Sequence, residues 1–393
     1  MRSQGVLPKC ERLQMRALGG FENPERTQVN WLPALAWNNY DKTSLGLALY
    51  SFPVPTRRFE FGLAPMYSFA SRSFSGSANL RWQFFPSGKT VQRLALDLDA
   101  KTFSYNYNWH YDFYDRYFKI APRLTFEFKK SEPTSPWSHQ LSLRPVYIEQ
   151  HYGEGKDAAN RIYESKTKSY LVNDLQYQLV NDFVLAPFSV TAHAQQGKGF
   201  VKFFAHFNQK FLYRQKGKAF FLHAFAGWMD TQKPEIRADF LPNGRPGFFN
   251  LQNDYLYDES LLGRNDQTGL FSQQIFQRDA NLKTLASLIG SRTWMVGLGL
   301  RSGIPNPLPI ESYIDMALLP DPFEDGKTQF LYSGGIAVPI VRNVFEVYFP
   351  LLESYTVTES AAYDARKLYI KRITFLLNIN QLNPWKLVNN LKF

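Results

Sequence analysis

The chain has 393 residues, a formal net charge of +11, 44% hydrophobic residues and a high aromatic share of 16%. A mean hydropathy of -0.34 excludes a bundle of membrane-spanning helices, since no run approaches the ~18 apolar residues that such a helix needs. A single cysteine, Cys10, excludes an internal disulfide, and the basic residues are scattered rather than gathered into the stripe or zinc-finger spacing of a nucleic-acid binder.

Residues 1–39 show no alternation and read as a linker or the remnant of an upstream domain, with no apolar core of a secretory signal. From about Thr43 the sequence becomes a succession of alternating segments. Ser44 to Tyr50 is the first, followed by Phe59 to Phe69 and Phe74 to Phe84. Val91 to Tyr105 comes next, and its apolar phase slips at Phe103 and Tyr105, the mark of a bulge or of an exit from an apolar layer. Tyr117 to Lys130, Trp137 to Tyr152, Ser169 to Val180, Phe183 to Ala194, Phe200 to Arg214 and Phe220 to Trp228 continue the series. After a long insertion come Thr293 to Ile304, Pro309 to Leu318, Phe330 to Val341, Val344 to Leu351 and Lys367 to Asn380. Pro65 and Pro122 fall inside segments and lack a ladder donor, so they predict local irregularity.

Most segments are ~9 to 15 residues long, against the usual ~5 to 6 of soluble sheets, and a tilted strand crosses a bilayer in roughly 9 to 11. One face is apolar, with Phe59, Phe61, Leu80, Trp82, Phe118, Leu124, Phe126, Phe203, Phe207 and Trp228 expected to meet lipid. The opposite face carries Arg81, Asp97, Asp99, Lys101, Lys119, Arg123, Glu127, Lys202, His206 and His223, expected to line a polar lumen. Aromatics gather near segment ends, where interfacial girdles lie. Backbone polar groups in hydrocarbon all need partners, so such a sheet must close. The fold expected is all-β: a closed antiparallel transmembrane barrel of about 12–14 strands over residues 40–393.

The insertion, residues 230–292, is expected to be a long, partly helical loop, with helix-like spacing at Leu270, Ile275, Leu282, Leu285, Leu288 and Ile289. A loop of that length is functional or mobile. On this strand count it falls at the end where the chain enters, whereas long loops of such barrels lie at the other end. One more strand, or an inverted chain, reconciles the two.

No catalytic constellation is legible. The six histidines contain no H-E-x-x-H pair, and His151 with Glu154 lacks a third ligand and reads as a solvated pair. Pro86 to Thr90 ends like a phosphate loop but has Gln83 where the first glycine belongs, so a hairpin turn explains it better. No cofactor or metal is expected.

Three elements carry a resemblance: W-N-N-Y-D at Trp37–Asp41, L-A-P-M-Y-S-F at Leu63–Phe69 and the closing stretch Ile373–Leu387. From Trp31 onward the chain resembles the C-terminal barrel region of outer-membrane M1-family metallopeptidases of Gram-negative bacteria. That resemblance implies a non-catalytic barrel in the outer membrane that anchors a zinc aminopeptidase domain, which this chain does not contain. The partners it implies are outer-membrane lipid, lipopolysaccharide and a fused or associated peptidase domain, and not nucleic acid. The alternatives are a stand-alone porin or uptake channel, a lipid-acting barrel enzyme, and a soluble ligand-binding β protein.

Overall fold

In the computed structural model the alternating segments become one continuous sheet of seventeen strands. The structure describes residues 13–17, 27–51, 57–157, 162–214, 218–247, 254–284, 290–305, 308–321, 326–354 and 368–382. The strands are β1 (Leu13–Ala17), β2 (Thr27–Asn38), β3 (Lys42–Tyr50), β4 (Phe59–Ser68), β5 (Ser73–Phe84), β6 (Val91–Asn108), β7 (Phe113–Phe128), β8 (Trp137–Asp157) and β9 (Ile162–Asn181). They continue as β10 (Phe188–Gly197), β11 (Phe200–Leu212), β12 (Ala219–Thr231), β13 (Trp294–Gly303), β14 (Glu311–Pro320), β15 (Thr328–Val341), β16 (Phe345–Glu353) and β17 (Thr374–Leu377).

From β2 to β17 each strand pairs antiparallel with the next. β1 lies parallel to β2. The sheet therefore has more strands than the 12–14 expected. The strands missing from the sequence reading are β1 and β2, both within the stretch read as a linker or domain remnant, residues 1–39; β2 is the one that joins the antiparallel series. Its outward residues Trp31, Leu35 and Trp37 alternate with Asn30, Ala34 and Asn38, but Pro33 interrupts the pattern.

The extra strand resolves the position of the insertion. Call the end where β2 begins and β17 finishes the near end. The insertion, now residues 232–293 between β12 and β13, projects from the far end, together with the tight turns after β2, β4, β6 and β10. Gly199, at φ 81, closes the last of these turns, a conformation that costs glycine little. The expected helix is a correction: within the insertion Leu270–Gln273 forms one 3-10 turn. Ile275 and Leu282 are buried in extended chain, and Leu285, Leu288 and Ile289 lie outside the described residues.

Both prolines mark gaps in a ladder. Pairing between β3 and β4 skips from Gly46–Met66 to Leu49–Leu63, around Pro65. Pairing between β7 and β8 skips from Ile120–Tyr147 to Leu124–Leu143, around Pro122. The slip in β6 is a register shift between Ser104 and Asn106. It is a bulge and not an exit from the apolar layer, because Tyr105 lands on the inner face and packs on Tyr257 of the insertion, ring centroids 5.9 Å apart.

Closure of the sheet on itself is not among the described registers. Its two lateral edges are occupied in another way. β1 covers β2, and the insertion bridges to β17 through Gln274 opposite Phe375, with the Ile275 N–H donating to the Phe375 carbonyl at 2.8 Å. An exposed strand edge invites pairing with other chains, and the stretches covered here are Thr27–Trp31 of β2 and Phe375 of β17.

Candidate functional site

The sheet wraps around the insertion, and this packed interior is the chemically dense part of the molecule. The insertion lays its backbone carbonyls and acids against inner-face side chains of strand after strand. Lys119 on β7 donates to the Leu256 carbonyl at 2.6 Å and to Asp258 at 2.5 Å. Arg144 on β8 donates to both oxygens of Asp258, at 3.0 and 2.9 Å, and reaches Asp174 on β9 at 3.1 Å. Asp174 in turn meets His193 on β10 at 2.9 Å. Tyr170 donates to the Tyr255 carbonyl, Tyr255 to Gln195, and Gln150 to the Tyr257 hydroxyl. Lys202 on β11 donates to the Ala238 carbonyl at 2.9 Å. On the other wall Lys283 pairs with Asp315 of β14 at 3.0 Å. Thr374 of β17 donates to the Lys283 carbonyl at 2.5 Å.

The insertion also reaches the first hairpin. The Asn39 N–H donates to the Leu262 carbonyl at 2.7 Å, and Tyr40 donates to Asp266 at 2.7 Å. The rings of Trp37 and Phe271 lie 4.8 Å apart. One segment therefore ties the first hairpin, the middle strands and the last strand together. Close approach requires small residues: a Cβ at Gly297 of β13 would sit 2.5 Å from the Ala280 Cα.

Around these polar contacts the interior is apolar. Phe240, Tyr257, Ile275, Leu282 and Met295 are among its largest buried side chains. Tyr257 stacks on Tyr117 at 4.0 Å, with the Arg264 guanidinium 4.5 Å from its centroid on the way to Asp254. Lys119 and Lys202 are 2% and 1% exposed. The polar lumen expected from the sequence is, in this half, filled by protein.

Similarity to known proteins is confined to overall all-β architecture. No family model matches the chain, and no curated protein matches it. Among solved structures it is similar to BamA from Haemophilus ducreyi lacking POTRA domains 1–3, at 11% identity and a TM-score of 0.47, over 84% of this chain and 68% of that one. For CdiB from Acinetobacter baumannii the identity is 9% and the TM-score 0.40, over 85% and 60% of the two chains. For CdiB from Escherichia coli they are 10% and 0.42, over 83% and 59%.

The residues expected on the inner face do not converge on one site. Arg81 pairs with Asp97 at 2.5 Å and Arg93 with Glu127 at 2.8 Å, as cross-strand contacts. Asp99 accepts from Asn79, and Lys101 stands opposite Lys119 in the β6–β7 register. Arg123 stands opposite Asp97 in that register, with its Nε buried and unpartnered. His206 Nδ1 and His223 Nε2 lie 3.3 Å apart. His151 bonds Glu149 at 2.9 Å rather than Glu154, whose partner is Lys166. On the outer face Phe59, Phe118, Phe203 and Trp228 are exposed, while Phe61, Leu80, Trp82, Leu124, Phe126 and Phe207 are half-covered by neighbours on the same face. Among the described residues no group of three or more His, Cys, Asp or Glu is placed to hold a metal.

Sequence reading missed Asp258, Arg144, Asp174, Lys283 and Asp315. Arg144, Asp174 and Asp315 occupy the polar phase of their strands and were within reach of the period-two pattern. Asp258 and Lys283 lie in irregular chain, where no period marks them.

Two acids of the insertion are driven in opposite directions. Burial opposes ionisation of Asp258, but Arg144 and Lys119 outweigh it and hold the carboxyl well below the usual range. Burial, reinforced by Asp254, pushes Glu259 up to about 8. The folded protein therefore keeps a proton on Glu259 that the unfolded chain releases, and stability falls as pH rises from about 4.5 to 8. Proteolysis within the insertion is expected to quicken from pH 5 to pH 8.5, and Glu259→Gln to flatten that rise. A pH profile unchanged by the substitution counts against the assignment.

Proposed function

We propose that the chain is a non-catalytic β-barrel of the bacterial outer membrane whose insertion occupies the lumen as a plug. The observation that carries this reading is the pairing of two opposite surfaces: an outer face of uncovered Phe, Leu and Trp side chains, and an inner face bonded to the insertion from β7 to β17. Leu35, Phe74, Phe203, Trp228 and Phe330 are all more exposed than a soluble monomer's scattered apolar residues require. Lipid is the solvent that such a face fits, and lipid admits a sheet only when its edges are satisfied. Its partners on this reading are outer-membrane lipids and lipopolysaccharide at the rim, and not nucleic acid.

A plugged interior disfavours an open diffusion pore. The finer role, holding a zinc peptidase domain at the membrane, rests on the sequence resemblance alone.

The test is electrical. In planar bilayers the intact chain is expected to show no steady conductance. Substituting Asp258→Ala, which removes the carboxylate that Lys119 and Arg144 share, is expected to produce intermittent openings. Steady ohmic pores from the intact chain, or a protein that stays soluble without detergent and migrates identically with and without heating, overturn the reading.

A further inference from the structure

Toward the near end, beneath the insertion, lies a cavity of about 560 Å3, within the size range of small-molecule sites. Strands β9 to β14, the turn at Arg342–Asn343, the insertion and the residues after β17 wall it. Its polar lining is rich in carboxamides, among them Asn208, Gln277, Asn281, Asn378 and Gln381. Phe276 and Leu376 supply an apolar floor.

Three buried polar atoms on this wall have no hydrogen-bond partner: His223 Nδ1, Asn281 Oδ1 and Asn378 Oδ1. Native interiors leave few such atoms unpaired, and each calls for a reason. Asn281 is 8% exposed and held at φ 61, a left-handed conformation that asparagine tolerates better than most residues.

The charges around the cavity are already answered. Arg301 pairs with Glu311 at 2.7 Å and with Glu346 at 2.8 Å. Asp315 is held by Lys283, and Arg342 pairs with Glu311 while covering the Phe221 ring. Lys210 and Asp182, of opposite sign, complete the ring of charge. The site thus offers little net field to an ionic ligand. The main-chain groups of its strand walls are engaged in ladders, which leaves no edge for an extended peptide. What it offers is fixed carboxamides, each both donor and acceptor, beside a small apolar floor. That set matches hydroxyl groups arrayed around a ring with an apolar face.

We infer that this cavity binds a neutral saccharide of one or two sugar rings. The test is calorimetric titration of the full chain, folded in a sugar-free amine-oxide detergent, with maltose, cellobiose and lactose. Trialanine and galacturonate serve as contrasts. At least one disaccharide is expected to bind at millimolar strength or tighter. Asn281→Leu and Asn378→Leu are each expected to weaken that binding about tenfold, the loss of one well-placed hydrogen bond. Heat-modifiable gel migration reports whether each variant is folded. If Asn281→Leu is not, Asn378→Leu and Asn208→Leu carry the test. No binding by any of the three sugars, preferential binding of trialanine or galacturonate, or sugar binding indifferent to Asn378→Leu overturns the inference.

Discussion

Lys283→Ala is expected to cost about 3–5 kcal/mol of folding stability, the usual loss when one partner of a buried ion pair is removed. Lys283 and Asp315 have side chains only 1% and 0% exposed, so water cannot replace the missing cation. Lys283 Nζ bonds both Asp315 oxygens, at 3.1 and 3.0 Å, and the Asn281 carbonyl at 2.8 Å. Without it Asp315 is a buried, uncompensated charge at the contact between β14 and the insertion. The damage should spread to β17, because the Lys283 carbonyl accepts from Thr374. Denaturant titration followed by heat-modifiable migration measures the loss, and limited proteolysis reports whether the insertion loosens first. The double variant Lys283→Met with Asp315→Leu should recover most of the stability, since apolar replacement of a buried pair is often neutral or better. A single variant within about 0.5 kcal/mol of the parent, the range of ordinary surface substitutions, would show that the pair does not hold the insertion.

Phe207→Arg is the second change expected to have a large effect. Phe207 lies near the middle of β11, paired with Val190 and Ala224, and points away from the insertion. Its ring lies beside that of Phe188 on the same face, 5.9 Å between centroids. A cation there, at the centre of an apolar layer, should cost about 2–4 kcal/mol in lipid vesicles, whereas near an interface the cost is about 0–1. Phe211→Arg, one residue before the strand ends, is the matched comparison. The gradient between the two positions is the signature of a bilayer. Equal costs at both, or a gradient that persists unchanged in lipid-free buffer, would mean that something other than a bilayer covers this face.

The outward and inward faces were legible in the sequence because strand side chains alternate with a period of two. Phe203 and Phe207 were separable from Lys202 and His206 without any knowledge of their neighbours. The slip at Phe103 and Tyr105 and the breaks at Pro65 and Pro122 were legible for the same reason: each is a local departure from the period or a missing donor. β2 was not, because Pro33 and the small residues around it weaken the alternation. Its strand character comes from the register with β3.

The strands, their faces and their irregularities were thus set by local chemistry that a linear reading recovers. The interior was decided by contacts between residues far apart in the chain. Lys119 meets Asp258 across 139 positions and Tyr40 meets Asp266 across 226, and no short-range pattern encodes either meeting. Whether a lysine on the inner face stands in water or against a carboxylate depends on where an irregular segment folds back. That is fixed only when sixty residues of aperiodic chain find the inner surfaces that satisfy their polar groups.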